Sequence, residues 1–537
     1  MAIQINQVGY YPKEKKTAVF TAGTSCELYE TKTDQAVWKG TLTDRGLDAA
    51  SGDQVRIADF TDFDREGSYY FQSDAGEVSC QFKIRKDLYR DLKQDVLKAF
   101  YYQRCGCGLS ERYAGEFAHA CCHTAPAAEL EHPEVKKDVS GGWHDAGDYG
   151  RYTTAAATAL AHMLYAYLFF KKEWEEPVDI PESGNGVADL LNECRYELEW
   201  LFKMQREDGG VYHKVTSFNH ANFVMPEEDK RELYLFPVST VATADFAAVM
   251  ALSARVFEKI DASFAGRALQ AAKRAWKWCM QHPDFLFVSN PEGCNTGEYD
   301  DTCDTDERAW AAAELLLATG DQTYTQPLEK YLDGVSELTV FGWSEMAGFI
   351  GLAVASDTTP ILPEEVRKRF LHEFEAKCAD YEQLSDACGY EVALGKEEYT
   401  WGSNMTVAMR AMLFAVTDMM KGEQKYRNKI LFQMDYLLGK NAVGYSYVTG
   451  YGEHAFSHPH NRPTVAMGDK KVMKGFVSGG ANSHPCDEKA EWLILPDTPP
   501  MKCYRDIWEC YSLNEITIYW NSPLIFLTAY LEHTKIN

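Results

Sequence analysis

A small all-β sandwich followed by a larger, mostly α, two-layer helical barrel is the architecture that the sequence predicts. Three observations carry it. About seven short strand patterns at regular spacing fill the first segment, about a dozen helical patterns fill the rest, and the change of character falls at Lys86-Asp87-Leu88. The predicted segments are therefore residues 1–88 and residues 89–537.

In the first segment the strand patterns are Ile3–Val8, Thr17–Thr21, Cys26–Thr31, Ala36–Thr41, Val55–Phe60, Ser68–Gln72 and Ser79–Ile84. Turn residues such as Gly23, Gly52, Gly67 and Asp74-Ala75-Gly76 separate them, as a sandwich of short strands requires. In the second segment helical periodicity marks Leu92–Arg104, Tyr152–Lys172, Val187–Arg206, Ser239–Ile260, Phe264–Gln281, Asp306–Thr319, Gln322–Leu332, Ser344–Ala355, Glu364–Ala379, Asn404–Met420, Tyr426–Leu438 and Glu515–His533. Some are largely apolar, such as the Ala-rich Ala155–Phe170, interrupted by Thr158, His162 and Tyr165. Others, such as Val187–Arg206, mix leucines with charges, the division expected between inner and outer layers. No sequence repeat of fixed period supports a regular solenoid.

The chain has 537 residues, too many for one ordinary core. Its 80 acidic and 54 basic residues give a net charge of −26, and no Lys/Arg cluster offers a face for nucleic acid. No run approaches the ~18 consecutive apolar residues of a membrane helix, so no membrane partner is expected. Fifteen scattered cysteines, with no export signal ahead of Ile3, lead us to expect a cytoplasmic, reducing setting.

Three segments concentrate chemistry. In Gly141-Gly142-Trp143-His144-Asp145-Ala146-Gly147-Asp148-Tyr149, two carboxylates stand three residues apart across small residues that let a loop turn tightly. Such a pair suits holding a water, one carboxylate taking its proton and the other orienting it. A helix-capping or calcium-binding loop is the alternative reading. In Tyr511-Ser512-Leu513-Asn514-Glu515-Ile516, Glu515 opens the apolar terminal helix among aromatic neighbours. Loss of water there would raise its pKa and suit a proton donor. A glutamate stabilised in a first helical turn is the alternative. In His458-Pro459-His460-Asn461-Arg462-Pro463, His460 and Arg462 can both donate hydrogen bonds to sugar hydroxyls or orient a carboxylate.

Together these segments resemble glycoside hydrolase family 9, the family of many endoglucanases. Asp145–Asp148 matches its D-A-G-D loop, and His458–Arg462 resembles its P-H-H-R motif with Asn461 in place of a second His. Tyr504, Asp506, Tyr511, Glu515, Thr517, Asn521 and Ser522 fit its C-terminal pattern, and Trp401–Asn404 looks like its W-G-S-N stretch. Ile3–Tyr10 resembles the first strand of the immunoglobulin-like domain that precedes many such barrels. The resemblance spans essentially the whole chain. It implies an (α/α)6 barrel behind an immunoglobulin-like sandwich, and net inversion at the anomeric carbon. It implies Asp148 as general base, Asp145 as its partner on the water and Glu515 as general acid. His460, Arg462, Trp401 and Tyr511 would contact substrate.

The resemblance extends to metals. Cys105, Cys122, His123 and His144 are similar to the zinc set of one subset of the family, two thiolates and two imidazoles suiting a structural tetrahedral zinc. Cys107 and Cys121 are rival ligands, and buried free thiols are the alternative. The acidic run Asp300–Glu307 offers Asp301, Asp304, Asp306 and Glu307 to calcium, or else caps a helix.

The expected function is inverting hydrolysis of β-1,4-glucosidic bonds in cellulose-derived glucans or cello-oligosaccharides, of the endoglucanase type. An exo-acting β-glucosidase or β-glucosaminidase on the same scaffold is the alternative. A non-catalytic carbohydrate-binding barrel is disfavoured by the intact Asp145, Asp148 and Glu515. A polysaccharide lyase or epimerase would need a different base or a Tyr/His pair.

Overall fold

The computed structural model describes residues 3–468 and 471–536. Met1 and Asn537, the outer limits of the two predicted segments, lie outside the described residues. The sandwich strands are, in chain order, β1 (Ile3–Gln4), β2 (Gly9–Tyr10), β3 (Thr17–Phe20), β4 (Ser25–Glu30), β5 (Gln35–Thr41), β6 (Thr43–Leu47), β7 (Gln54–Asp59), β8 (Gly67–Ser73) and β9 (Phe82–Ile84). One sheet has the order β1-β3-β7-β6 and the other β2-β9-β8-β4-β5. Inward residues alternate along β8, where Tyr69, Phe71 and Ser73 are buried, and Tyr69 and Phe71 join Phe20, Leu28, Phe60 and Phe82 in a separate core.

Two differences from the predicted strands have local causes. Of the Ile3–Val8 pattern only Ile3–Gln4 pairs as a strand, because the Asn6 side chain accepts the Val8 and Gly9 N–H groups and turns the chain, which enters the other sheet at β2. Strand β6 was not expected, because Thr43-Asp44-Arg45-Gly46 is polar on both faces and sits on a sheet edge.

Twelve longer helices build the barrel: α1 (Arg90–Tyr102), α2 (Thr153–Phe170), α3 (Asp189–Met204), α4 (Thr240–Phe257), α5 (Ala262–Gln281), α6 (Thr305–Thr319), α7 (Thr325–Leu332), α8 (Gly348–Ser356), α9 (Glu364–Ala387), α10 (Ser403–Lys421), α11 (Arg427–Leu437) and α12 (Ile518–Thr534). The even-numbered helices touch one another in a closed ring, and each odd-numbered helix packs outside one of them. This is an (α/α)6 barrel. The inner helices are almost wholly buried, and Ala-rich stretches such as Ala155–Ala157 and Ala311–Ala313 let them approach closely. Several buried hydroxyls on the inner ring are satisfied within their own helices, as Thr158 to Thr154, Thr243 to Ser239 and Thr528 to Leu524. Thr153–Trp174 and Thr240–Phe257 are long and apolar enough to cross a membrane, yet 89% and 94% of their apolar windows are buried inside the barrel.

The sandwich is bolted to the barrel by buried polar groups. Asn6 donates to Asp435 at 2.9 Å and to the Tyr89 hydroxyl at 3.1 Å. The fully buried Lys440 ammonium donates to Glu391 at 2.8 Å and Thr17 at 2.9 Å and lies 3.1 Å from Asp435. Replacing Lys440 by Met would strand two buried carboxylates. It should cost about 3–5 kcal/mol, read as a lowered midpoint in chemical unfolding.

Candidate active site

The loop carrying Asp145 and Asp148 is anchored before it reaches the cleft. Trp143 donates its backbone N–H to Glu197 at 2.5 Å and its indole N–H to Glu193 at 2.8 Å, and Arg104 holds Glu193 in turn. Arg151 donates to the Gly141 carbonyl at 2.8 Å and closes the loop from its other end. Gly147 has a steric reason to be glycine, since a Cβ there would lie 1.7 Å from the His460 carbonyl oxygen. Asp145 Oδ2 accepts the Tyr299 hydroxyl at 2.5 Å, while its Oδ1 is buried without a partner. Asp148 Oδ2 accepts from His220 Nδ1 at 3.1 Å and from the Gly150 N–H at 3.2 Å.

Glu515 is not in the first turn of the terminal helix as the sequence suggested. It sits in an extended link (φ −60°, ψ 150°) between a short helix at Tyr511–Asn514 and α12. The Thr517 hydroxyl accepts the Trp520 N–H at 3.1 Å and caps α12, which frees Glu515 from helical geometry. The link is stitched to its surroundings. Ile518 N–H donates to the Asp145 carbonyl at 2.8 Å, His460 N–H to Asn514 at 2.9 Å, and Gly479 N–H to Glu515 at 3.0 Å.

A cavity of about 620 Å³ opens between these loops, lined by Asp145, Asp148, Glu515, Trp343, Trp401 and Met405 among others. Trp401 is 47% exposed and its ring lies 5.5 Å from Tyr511, which in turn lies 5.7 Å from His460. Arg462 differs from expectation. Its guanidinium is buried and donates to the carbonyls of Gly147 and Ala221, both at 2.8 Å, so it braces the aspartate loop. His460 Nδ1 donates to the Trp508 carbonyl at 2.8 Å, and burial lowers its pKa to about 4. A neutral ring so bonded offers Nε2 as an acceptor, rather than the donor read from sequence.

The carboxylates are electrostatically divided. Burial by itself would raise Asp148, but the His220 hydrogen bond and charge, Arg462 and the Gly150 N–H outweigh it and hold Asp148 well below the usual carboxylate range. Burial, then the charges of Asp148 and Asp145, push Glu515 well above that range against the opposing effect of Arg462 and Trp401. Burial also raises Asp145 against the Tyr299 hydrogen bond. One ionised and one protonated carboxyl facing a single cavity can move a proton in each direction. Tyr299 and His220 were missed in the sequence. Tyr299 lies in an irregular stretch after α5 with a left-handed backbone (φ 50°), and His220 is an isolated loop histidine.

The donor atoms of Cys105, Cys122, His123 and His144 all lie within 4.8 Å of one another, the one His/Cys/Asp/Glu group drawn that close among the described residues. Cys121 turns away to the Gly106 carbonyl, and Cys107 is outside the group. His123 turns Nε2 to Asp229 at 3.3 Å and Nδ1 to His144 Nε2 at 3.3 Å. This is how a carboxylate orients a metal-binding imidazole. Two thiols and two imidazoles so placed fit a tetrahedral ion.

The acidic set needs correction. Asp304 is spent on Arg308 at 2.8 Å, one turn along its own helix, and Asp306 accepts the Met346 N–H at 2.6 Å. Both oxygens of Glu307, one of Asp301 and both of Asp245 are buried without partners. Burial and mutual repulsion raise Asp245 and Glu307 well above the carboxylate range and Asp301 to about 6. Orphaned oxygens of this kind fit a hard cation, with Asp245 of α4 in the place read for Asp304. Nothing in the sequence around Asp245, within Thr240–Phe257, marks it apart from an apolar helix.

A two-layer helical barrel with a divided carboxyl pair in its mouth defines a glycoside hydrolase. The chain belongs to glycosyl hydrolase family 9: the sequence model of that family matches residues 89–528, and that of the cellulase N-terminal ig-like domain matches residues 1–77. It is 40% identical to a cellodextrinase of Butyrivibrio fibrisolvens, over 99% of this chain and 100% of that one. It superposes with a TM-score of 0.93 on the structure of AaCel9A in complex with cellobiose-like isofagomine, at 32% identity over 99% and 100% of the two chains. A Zn-binding triple mutant of a family 9 endoglucanase matches with a TM-score of 0.91, at 32% identity over 97% and 99%.

Tyr299→Phe would remove the hydrogen bond that orients Asp145, worth about 0.5–1.5 kcal/mol. Its loss should reduce kcat roughly 2- to 10-fold at every pH and leave the acidic limb of the pH–rate profile, which Asp148 sets, where it is. Steady-state kinetics across pH checks both.

Proposed function

We propose that the enzyme hydrolyses β-1,4-glucosidic bonds of cello-oligosaccharides and related glucans with inversion. The observation that carries this reading is the opposite displacement of Asp148 and Glu515 in one cleft. Asp148, ionised, takes the proton of a water that Asp145 helps to hold, and the resulting hydroxide attacks the anomeric carbon. Glu515, protonated, gives its proton to the departing glycosidic oxygen. Trp401 and Tyr511 supply ring faces for sugars, His460 accepts from a hydroxyl, and Arg462 keeps the base loop in register. The cellodextrinase likeness supports short soluble glucans. A second reading, action on a cationic aminosugar, rests on the exposed acids Glu298, Asp300 and Glu345 that line the cavity. Product analysis on cello-oligosaccharides, mixed-linkage glucan and chitosan oligomers, with anomer detection by NMR, tests both. An initial α-anomer from a β-glucan is expected, and hydrolysis of chitosan oligomers alone would replace the glucan reading.

The Cys105, Cys122, His123 and His144 group is read as a structural zinc site that ties the base loop to the end of α1. The Asp245, Asp301, Asp306 and Glu307 group is read as a calcium site. When bound, each ion would fix loop geometry and supply no step of the reaction. Fifteen cysteines with no disulfide among the described residues favour a reducing, cytoplasmic setting.

Four outcomes are expected. Glu515→Gln should lose activity on cello-oligosaccharides far more than on aryl glycosides with good leaving groups, whereas Asp148→Asn should lose roughly 10²- to 10⁴-fold on both. The wild-type profile should be bell-shaped. Activity falls on the acid side only as Asp148 protonates, below the usual carboxylate range, and on the alkaline side as Glu515 ionises, well above it. Elemental analysis should find one zinc per chain, lost in Cys122→Ser. Calcium should raise Tm in the wild type and in Asp304→Asn but not in Asp245→Asn.

A further inference from the structure

Beyond the cavity a run of rings continues past His460. The Phe223 ring lies 5.2 Å from His460, and the Trp508 ring packs on Phe223 at 4.5 Å and 65°. Neither ring lines the cavity itself. Both remain partly open to solvent.

The turn that carries Trp508 is braced from three sides. Asp506 accepts the backbone N–H groups of Ser457 and His458 at 3.0 and 2.9 Å, fixing this turn to the segment that bears His460. Asn514 donates to the carbonyls of Arg505 and Ile507 at 2.6 and 2.9 Å. The Trp508 carbonyl accepts from His460 at 2.8 Å. Arg462 lies 5.3 Å over the Phe223 ring while it holds Gly147, so Phe223 is fixed to the aspartate loop. A rigid turn that ends in a half-open indole is built to present a surface, since an unused indole would gain stability by burial.

We propose that Trp508, seated on Phe223, is a sugar-stacking platform for glucosyl units on the leaving-group side of the scissile bond. The direction follows from Glu515. The acid's proton goes to the leaving oxygen, and the backbone of Glu515 runs alongside His460, from which the ring series proceeds outward. The sugar under attack occupies the cavity beside Asp145 and Asp148. The leaving chain lies along Tyr511 and His460, and its next units meet Phe223 and Trp508. The platform thus sets how strongly longer cello-oligosaccharides are preferred over short ones, and it rests on the β-1,4-glucan reading above.

Trp508→Ala removes the indole and keeps the carbonyl that orients His460. It should lower kcat/KM for cellopentaose and cellohexaose about fivefold to tenfold, mainly through KM. Nitrophenyl cellobioside, which has no sugar on the leaving side, should change less than about twofold. Trp508→Phe should restore most of the loss. An equal loss on nitrophenyl cellobioside would show that the residue acts through His460 and would overturn the platform. Unchanged kinetics on cellohexaose would overturn it too while the substrate reading stands. A wild type inert on every cello-oligosaccharide would overturn both.

Discussion

Three backbone-level ties hold the cleft together: Ile518 N–H to the Asp145 carbonyl, His460 N–H to the Asn514 carbonyl, and Arg462 to the Gly147 carbonyl. Two of them, Asp145 to Ile518 and Gly147 to Arg462, join segments hundreds of residues apart, and together they fix the aspartate loop, the His460 segment and the Glu515 link against one another. An inverting site depends on carboxyl groups held at a set spacing with a water between them, which flexible side chains on independent loops could not maintain. Gly147 is the steric condition of this contact, because the His460 backbone occupies the space of its missing Cβ.

On that frame the electrostatics follow from placement. All three carboxyls are withdrawn from water, so each tends to be protonated. Only Asp148, with hydrogen bonds from His220 and the Gly150 N–H and the Arg462 charge nearby, remains ionised. Its charge then helps to keep Glu515 protonated. The two charge states are thus coupled: a firmer hold on the Asp148 anion also firms the proton on Glu515.

The rest of the molecule reinforces the same loop. The Cys/His group grips His144, the residue immediately before Asp145. Arg104, Glu193 and Glu197 grip Trp143 from the outer helices. The stretch after α5 delivers Tyr299 to Asp145 and then leads into the acidic group at the start of α6. Further off, the Lys440 and Asn6 networks bind the sandwich to the barrel through buried polar groups, so the two pack as one body.

The sequence by itself determined the order of β and α segments, the twelve barrel helices to within a few residues at most ends, and the two motifs that carry Asp145, Asp148 and Glu515. Periodicity and short spacings are local properties, and local geometry dominates them. Its errors share one cause. Strand β6, the extended backbone at Glu515, the diversion of Asp304 to Arg308 and the bracing role of Arg462 all depend on what a segment meets in space. Tyr299, His220, Asp245 and Trp508 carry no local mark of use, since each gains its role from partners distant in the chain. Only the tertiary structure decided which carboxyl stays charged, because desolvation and hydrogen-bond donors belong to the folded surroundings rather than to the residue.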